Sequence, residues 1–217
     1  MSVFWTNSFE EIKDFATCDY QLGIVERKVP RGIDEFFQKL MQKPLRISGK
    51  VRKENMNSNI KEILEEEIPE PLQNTPFFEK WIEDMANAAE LFCDIQKSDS
   101  VSFWLSSERG CRRYHIDNVP LRMLITYAGK GTEWLPDKVA DRRAFANGEP
   151  NEMIVRDPKE LQFMKPWDVA VFRGGEKGLL HRTPDDALNG PSILLRLDHP
   201  SFWDNVLKLI DKFISNF

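Results

Sequence analysis

From residue 99 onward the chain returns again and again to one pattern: a short apolar run closed by Gly, Pro or Asn. The runs are SVSFWLSS, RRYHIDNV, LRMLITYAG, NEMIVRD, WDVAVFRG, GLLHRTP and PSILLRLDH. Each is too short for a helix and is bounded by turn residues, so each reads as a strand. Seven such strands in succession point to a sandwich or barrel-like β-fold. This half of the chain sets the architecture, because many short strands must bury a common face.

The first 98 residues have a different texture and read mostly as helix. LGIVERKV is a short strand, and IDEFFQKLMQ follows with apolar residues at Ile33, Phe36, Phe37, Leu40 and Met41, a helical spacing. NSNIKEILEEEIPEP is an acidic helix stopped by Pro69 and Pro71, its Glu run a solvated face. TPFFEKWIEDMANAAELFCDIQ opens with Thr75 as N-cap and Pro76 in the first turn. Its stripe through Phe78, Trp81, Ile82, Met85, Ala89 and Phe92 faces a core. At the other end SFWDNVLKLIDKFISNF spaces Phe202, Val206, Leu209, Ile210, Phe213 and Phe217 as a helix. The expected fold class is therefore α+β. A mainly helical part, residues 1–98, packs on a β-domain with a C-terminal helix, residues 99–217, as one compact unit.

Composition narrows the function classes. The 217 residues carry a net charge of −5, with no basic excess to neutralise phosphates, which argues against a nucleic-acid partner. No run approaches the roughly 18 apolar residues that cross a bilayer. The N-terminus, MSVFWTNSFEEIKDF, lacks the basic and apolar regions of a secretory signal. Three widely spaced cysteines, Cys18, Cys93 and Cys111, fit a reducing cytoplasm.

The chemistry concentrates on the histidines, of which there are three. In RRYHIDNV, His115 and Asp117 project from the same side of a strand, since side chains alternate. A buried imidazole beside a buried carboxylate is costly unless something pairs with them. A divalent metal is such a partner, and His181 in GLLHRTP supplies a third ligand. Two imidazoles and a carboxylate on one face of an octahedral ion form a facial triad with open positions for other ligands. Arg196 sits inside the aliphatic strand SILLRLDH, where its planar fork suits a carboxylate. His199, ahead of a helix, reads as local packing. Asp141, Arg142 and Arg143 read as a helix start.

With these residues in view, HIDNVPLRMLITYAG, WDVAVFRGGEKGLLHRTP and SILLRLD resemble the 2-oxoglutarate/Fe(II)-dependent dioxygenases over residues 112–198. HIDNVPLR, TYAGKGTEWLP and DVAVFRGGEKGLLHRTP resemble more closely a bacterial domain family of unknown function, over nearly the whole chain. The resemblance implies a double-stranded β-helix, the cupin-like jelly roll. It implies Fe(II) held by His115, Asp117 and His181, and 2-oxoglutarate reaching Arg196, with Tyr127 beside it. It also implies hydroxylation of a substrate whose identity and pocket walls stay open. Arg122, Glu133, Trp134 and Arg182 are candidate substrate contacts. One departure stands out: the Arg follows the distal His by fifteen residues rather than about ten, and Asp198 stands where a Ser is usual. Asp198 could satisfy Arg196 and remove the need for 2-oxoglutarate. A zinc or iron protein without that co-substrate, in metal handling or non-oxidative chemistry with Arg196 paired to Asp198, is the alternative. Separately, Cys111 could join His115, Asp117 and His181 around zinc. A non-catalytic module on the same fold is a third reading. The oligomeric state is open.

Overall fold

The computed structural model describes residues 3–202. Over these residues the chain is a mixed α/β protein built on one large sheet and one small one. In chain order the elements begin with β1 (Val3–Thr6), β2 (Leu22–Val25), α1 (Asp34–Leu40), β3 (Arg46–Arg52), α2 (Met56–Glu65), α3 (Glu70–Gln73) and α4 (Pro76–Gln96). Next come β4 (Ser100–Ser106), β5 (Leu121–Ala128), β6 (Glu133–Trp134), α5 (Arg142–Ala146) and α6 (Asn151–Ile154). The last are β7 (Gln162–Phe163), β8 (Val169–Arg173), β9 (His181–Arg182), α7 (Asp185–Asn189) and β10 (Ile193–Asp198). The large sheet runs β1-β2-β8-β5-β10-β4-β3, and the small one β7-β6-β9. All pairings in the large sheet are antiparallel except β1 with β2.

Alternation along the strands gives the large sheet two faces with different partners. Met123, Ile125 and Tyr127 of β5, with Leu195 and Leu197 of β10, belong to the core shared with the helices. The centre of that core is α4, whose Trp81 is fully buried and meets Tyr127 edge-on at 5.6 Å. On the other face Leu124, Phe172 and Leu194 pack with Trp134, Met164 and Leu179 from the small sheet and its loops. A third cluster, with Tyr114, Leu135, Ile154 and Leu180, lies where residues 111–116 meet the 135–155 region.

Several elements sit where the sequence puts them. The helices α1 and α4, and the strands β2, β4, β5, β8 and β10, all fall within the runs that predict them, and α2 starts one residue before its run. Asp141 caps α5 by accepting from the backbone N–H groups of Arg143 and Ala144. Thr75 precedes α4, but its hydroxyl donates back to the Leu72 carbonyl instead of capping.

Other elements differ. β1 and β3 are strands inside the part expected to be mainly helical, so one sheet draws on both sides of residue 98. NEMIVRD is the short helix α6, which Pro150 starts and a single bridge at Val155 ends. RRYHIDNV is an extended segment with one bridge, at His115, rather than a regular strand. The expected C-terminal helix lies outside the described residues. No helix among the described residues is long and apolar enough to cross a membrane.

Candidate metal centre

His115 and His181 form an isolated antiparallel bridge and exchange both backbone hydrogen bonds, at 3.0 and 3.1 Å. Directly opposed residues point their side chains to the same face. The two imidazoles consequently stand side by side, centroids 4.4 Å apart. Asp117, two residues further along the extended segment, returns to that side. The Nε2 of His115 lies 3.7 Å from Asp117 Oδ1, and the Nε2 of His181 lies 3.4 Å from Asp117 Oδ2.

The backbone under Asp117 is clamped by the turn after β8. Gly174 donates to the Pro120 carbonyl and Gly175 to that of Asp117, at 3.0 and 2.9 Å. A Cβ at Gly174 would collide with the carbonyl oxygens of Val119 and Asp117, so only glycine permits this approach.

One ligand atom from each of His115, Asp117 and His181 lies within 4.8 Å of the other two. Ligand atoms about 2.1 Å from a shared ion stand about 3 Å apart in an octahedral set, so small side-chain rotations close the shell. The tautomers that the backbone selects suit that task. Each ring places Nδ1 near a backbone carbonyl, Arg113 for His115 at 3.2 Å and Leu179 for His181 at 3.0 Å. A carbonyl only accepts, so Nδ1 carries the hydrogen and Nε2 keeps a lone pair aimed at Asp117. Burial holds the His181 imidazole down to about 4, which keeps it neutral near pH 7. At His115 burial disfavours the cation, but hydrogen bonding to the Cys111 thiol and the charges of Cys111 and Asp117 outweigh it and raise the pKa. Asp117 Oδ2 is buried and accepts no hydrogen bond. A buried carboxylate oxygen without a donor is costly, and a cation between it and the two imidazoles removes that cost. The donor set present fits a divalent metal.

The other carboxylate oxygen of Asp117 takes a hydrogen bond from Arg122 Nη1. Arg122 Nε donates to Asp198 Oδ1 at 2.8 Å, and Arg196 Nε lies 3.0 Å from Asp198 Oδ2. Two arginines and two aspartates thus form a chain that balances its own charge before any ligand enters. Burial works against the Arg122 cation, but the two carboxylates outweigh it. Burial likewise raises the Asp198 carboxyl and lowers Arg196. The Arg196 guanidinium lies over the rings of Trp104 and Phe202, at 4.8 and 5.1 Å. A cavity of about 370 Å³ opens onto this wall, lined by Trp104, His115, Arg122, Leu124, His181 and Arg196 among others.

The remaining sequence candidates fall elsewhere or serve other ends. Tyr127 is a correction: it lies on the helix-facing side of β5, stacked among Phe37, Trp81 and Trp167, with its hydroxyl donating to Asp84. Between Asp117 and β5 the chain turns at Pro120, so side-chain parity does not carry across. Glu133 is buried and accepts from the Tyr114 hydroxyl and from Arg182 Nε, and Trp134 is core between the sheets. Neither lines the cavity. Arg122 and Arg182 do line it, but both are engaged by carboxylates, Arg182 by Glu133 and Asp185. Cys111 lines the cavity but stands outside the ligand cluster. His199 is a local contact, bonded to Ser201. Sequence reasoning missed Arg46, Trp104 and Arg109 in the cavity wall. Arg109, in SSERGC, reads as a loop charge, and no periodicity distinguishes it.

Residues 6–198 match the family model described as "Protein of unknown function (DUF1826)". The chain belongs to that family. No curated protein matches it. Among solved structures it is similar to an Fe(II)/(alpha)ketoglutarate-dependent dioxygenase, TqaL, at 11% identity, over 88% of this chain and 85% of that one, TM-score 0.43. It is similar to an oxidoreductase of the 2OG-Fe(II) oxygenase family from Burkholderia pseudomallei at 12% identity, over 91% and 94% of the two chains, TM-score 0.39. A bsmA homologue from Methylobium petroleophilum PM1 matches at 12% identity over 61% of this chain, TM-score 0.31, and this chain spans 55% of that one.

Proposed function

We propose that this member of the DUF1826 family is a metal-dependent oxygenase. Its site holds Fe(II) through His115, Asp117 and His181 and takes 2-oxoglutarate as co-substrate. The observation that carries the reading is the convergence of the three ligand atoms with Asp117 Oδ2 buried and without a donor. Structural likeness at TM-scores of 0.31 to 0.43 adds nothing to it.

The chain's own residues would do the following. Backbone carbonyls of Arg113 and Leu179 orient the two imidazoles, and Arg122 fixes one oxygen of Asp117 so that the other faces the ligand cluster. Bound Fe(II) would supply one-electron and O₂ chemistry that no side chain here provides. Because Arg122, Arg196, Asp117 and Asp198 cancel in charge, a divalent ion leaves two positive charges uncompensated, which a dicarboxylate such as 2-oxoglutarate matches. In this reading Arg196, whose Nε lies 3.0 Å from Asp198 Oδ2, would bind its far carboxylate. The apolar wall of Trp104, Leu124 and Leu194 would limit water at the reacting centre.

The same proposal reads the two sheets, facing each other across the core of Leu124, Phe172, Trp134 and Leu179, as a double-stranded β-helix. The three cysteines are free, which suits a cytoplasmic protein. One observation favours a second reading: Asp198 already engages both Arg196 and Arg122. In that case the site is a metal centre, iron or zinc, without 2-oxoglutarate.

The test separates them. Purified protein is loaded with Fe(II) under argon and given 2-oxoglutarate, and the visible charge-transfer absorption is recorded. The oxygenase reading expects a band that Arg196→Ala weakens and His181→Ala abolishes. Full iron loading with no band would leave the second reading standing.

A further inference from the structure

The cavity beside the metal centre carries more positive charge than the metal centre uses. Five arginines line it: Arg46, Arg109, Arg122, Arg182 and Arg196. The last three each meet a carboxylate within 4 Å. Arg46 and Arg109 make no ion pair among the described residues, and the one carboxylate in the lining, Glu108, reaches neither. Arg109 is held instead by neutral oxygens, the Lys130 carbonyl at 3.3 Å and the Thr132 hydroxyl at 3.2 Å. Burial pulls its guanidinium down to about 10, with only the charge of the Cys111 thiol opposing it. A hydroxyl that accepts from Arg109 keeps its own hydrogen to donate, and Thr132 also lines the cavity.

Sheet register shows where this charge sits. Asp198 pairs with Ser102 and stands with Arg122 on the row that meets Asp117. Two residues along β10, Arg196 pairs with Trp104 and Leu124. Two further, Leu194 pairs with Ser106, which pairs in turn with Arg46 of β3. The row of Arg46 is therefore four residues from the row of Asp198, roughly 13 Å at about 3.3 Å per residue. Arg109 follows Ser106 in the loop after β4. That loop is tied to the start of β3 where Ser107 N–H donates to the Leu45 carbonyl at 2.9 Å and Leu45 N–H donates to Ser107 Oγ at 2.8 Å. Both arginines thus line the cavity from one corner of the large sheet, Arg46 four rows from Asp198 and Arg109 bonded to Thr132 just ahead of β6.

We infer that Arg46 and Arg109 form an anion subsite that binds a carboxylate or phosphate group of the primary substrate, Arg46 lying about 13 Å along the strands from the row of Asp198. This rests on the reading of the cavity as the substrate chamber of the metal centre. A cavity of about 370 Å³ is at the small end of ligand sites, so the substrate is a small acid, extended from the corner toward the metal, with Trp104 and Leu194 flanking its apolar part. Guanidinium forks suit either oxyanion, and bidentate contact gives the orientation.

Binding of inorganic phosphate and of malonate to the metal-free full chain, followed by calorimetric titration, tests this. The expected result is saturable binding of at least one anion, weakened ten-fold or more by Arg46→Gln and by Arg109→Gln. Arg31→Gln, on a different face, leaves it unchanged. Which anion binds tells phosphate from carboxylate. Arg46 is exposed, so its variant keeps the fold and decides the matter if Arg109→Gln proves unstable. Two results overturn the inference: anion affinity unchanged in Arg46→Gln, or loss of the 2-oxoglutarate band in Arg109→Gln, which would make Arg109 the co-substrate anchor. Phosphate or malonate bound through Arg46 by a chain that takes no metal would sink the oxygenase reading while leaving the subsite intact.

Discussion

Asp117 is where the residues of this chain depend on one another most. Its side chain is 3% exposed, it takes a hydrogen bond from Arg122, and it faces two imidazoles. Arg122 in turn joins it to Asp198, which is 1% exposed. Removing one partner of such a buried pair leaves an uncompensated charge, worth roughly 3–5 kcal/mol. Arg122→Ala leaves Asp117 without a guanidinium and Asp198 with Arg196 alone, so the metal-free variant should melt roughly 6–20 °C lower by calorimetry, at about 2–4 °C per kcal/mol. A loss of only a degree or two would mean that the pairs are worth no more than surface ion pairs. The triad was legible in the sequence because His115, Asp117 and His181 are scarce, chemically distinct side chains in strand-like runs. Tyr127 was misplaced because Pro120 breaks the chain between Asp117 and β5, and alternation cannot be counted through a turn. Arg109 left no signal at all, since what distinguishes it is the absence of a partner in space.

At the scale of elements, the strands easiest to read were those buried on both faces. β5, β8 and β10 present mostly apolar runs, β4 adds small buried serines between its apolar residues, and all four sit inside the large sheet. β3 sits at its edge and alternates, with Ile47 and Val51 buried between exposed Arg46, Ser48, Lys50 and Arg52. An edge strand needs only one apolar face, so RISGKVR looks like a charged connection. The segment 111–119 failed as a strand for a related reason: apart from the His115 bridge, the tight turn at Gly174 and Gly175 holds it rather than a ladder. That clamp makes an element-level prediction. Gly174→Ala should displace the Asp117 backbone and lower Fe(II) affinity ten-fold or more, whereas Gly32→Ala, which strains a φ of 75° but whose added Cβ would meet nothing, should leave affinity unchanged. Titration of both variants checks this, and equal affinities would show that the turn does not position the ligand.

The whole molecule is organised by the two faces of one sheet. One face is sealed by α4 and its neighbours around Trp81 and Tyr127, while the other carries the cavity, the arginines and the histidine bridge. Because β1, β2 and β3 share that sheet with β4, β5, β8 and β10, neither side of residue 98 completes a core alone. The chain should therefore unfold in one calorimetric transition, with van't Hoff and calorimetric enthalpies equal. Two separate transitions would divide it into the two parts that the sequence texture suggests. Metal binding should raise the midpoint of the same transition, since the three ligands reach the site only when both sheets are assembled. The most direct measurement is an anaerobic titration of the purified chain with Fe(II), read by calorimetry and by metal content after gel filtration. The account predicts one ion per chain, lost in both His181→Ala and Asp117→Ala. Iron that fails to bind, or that binds equally well without these two side chains, would contradict it.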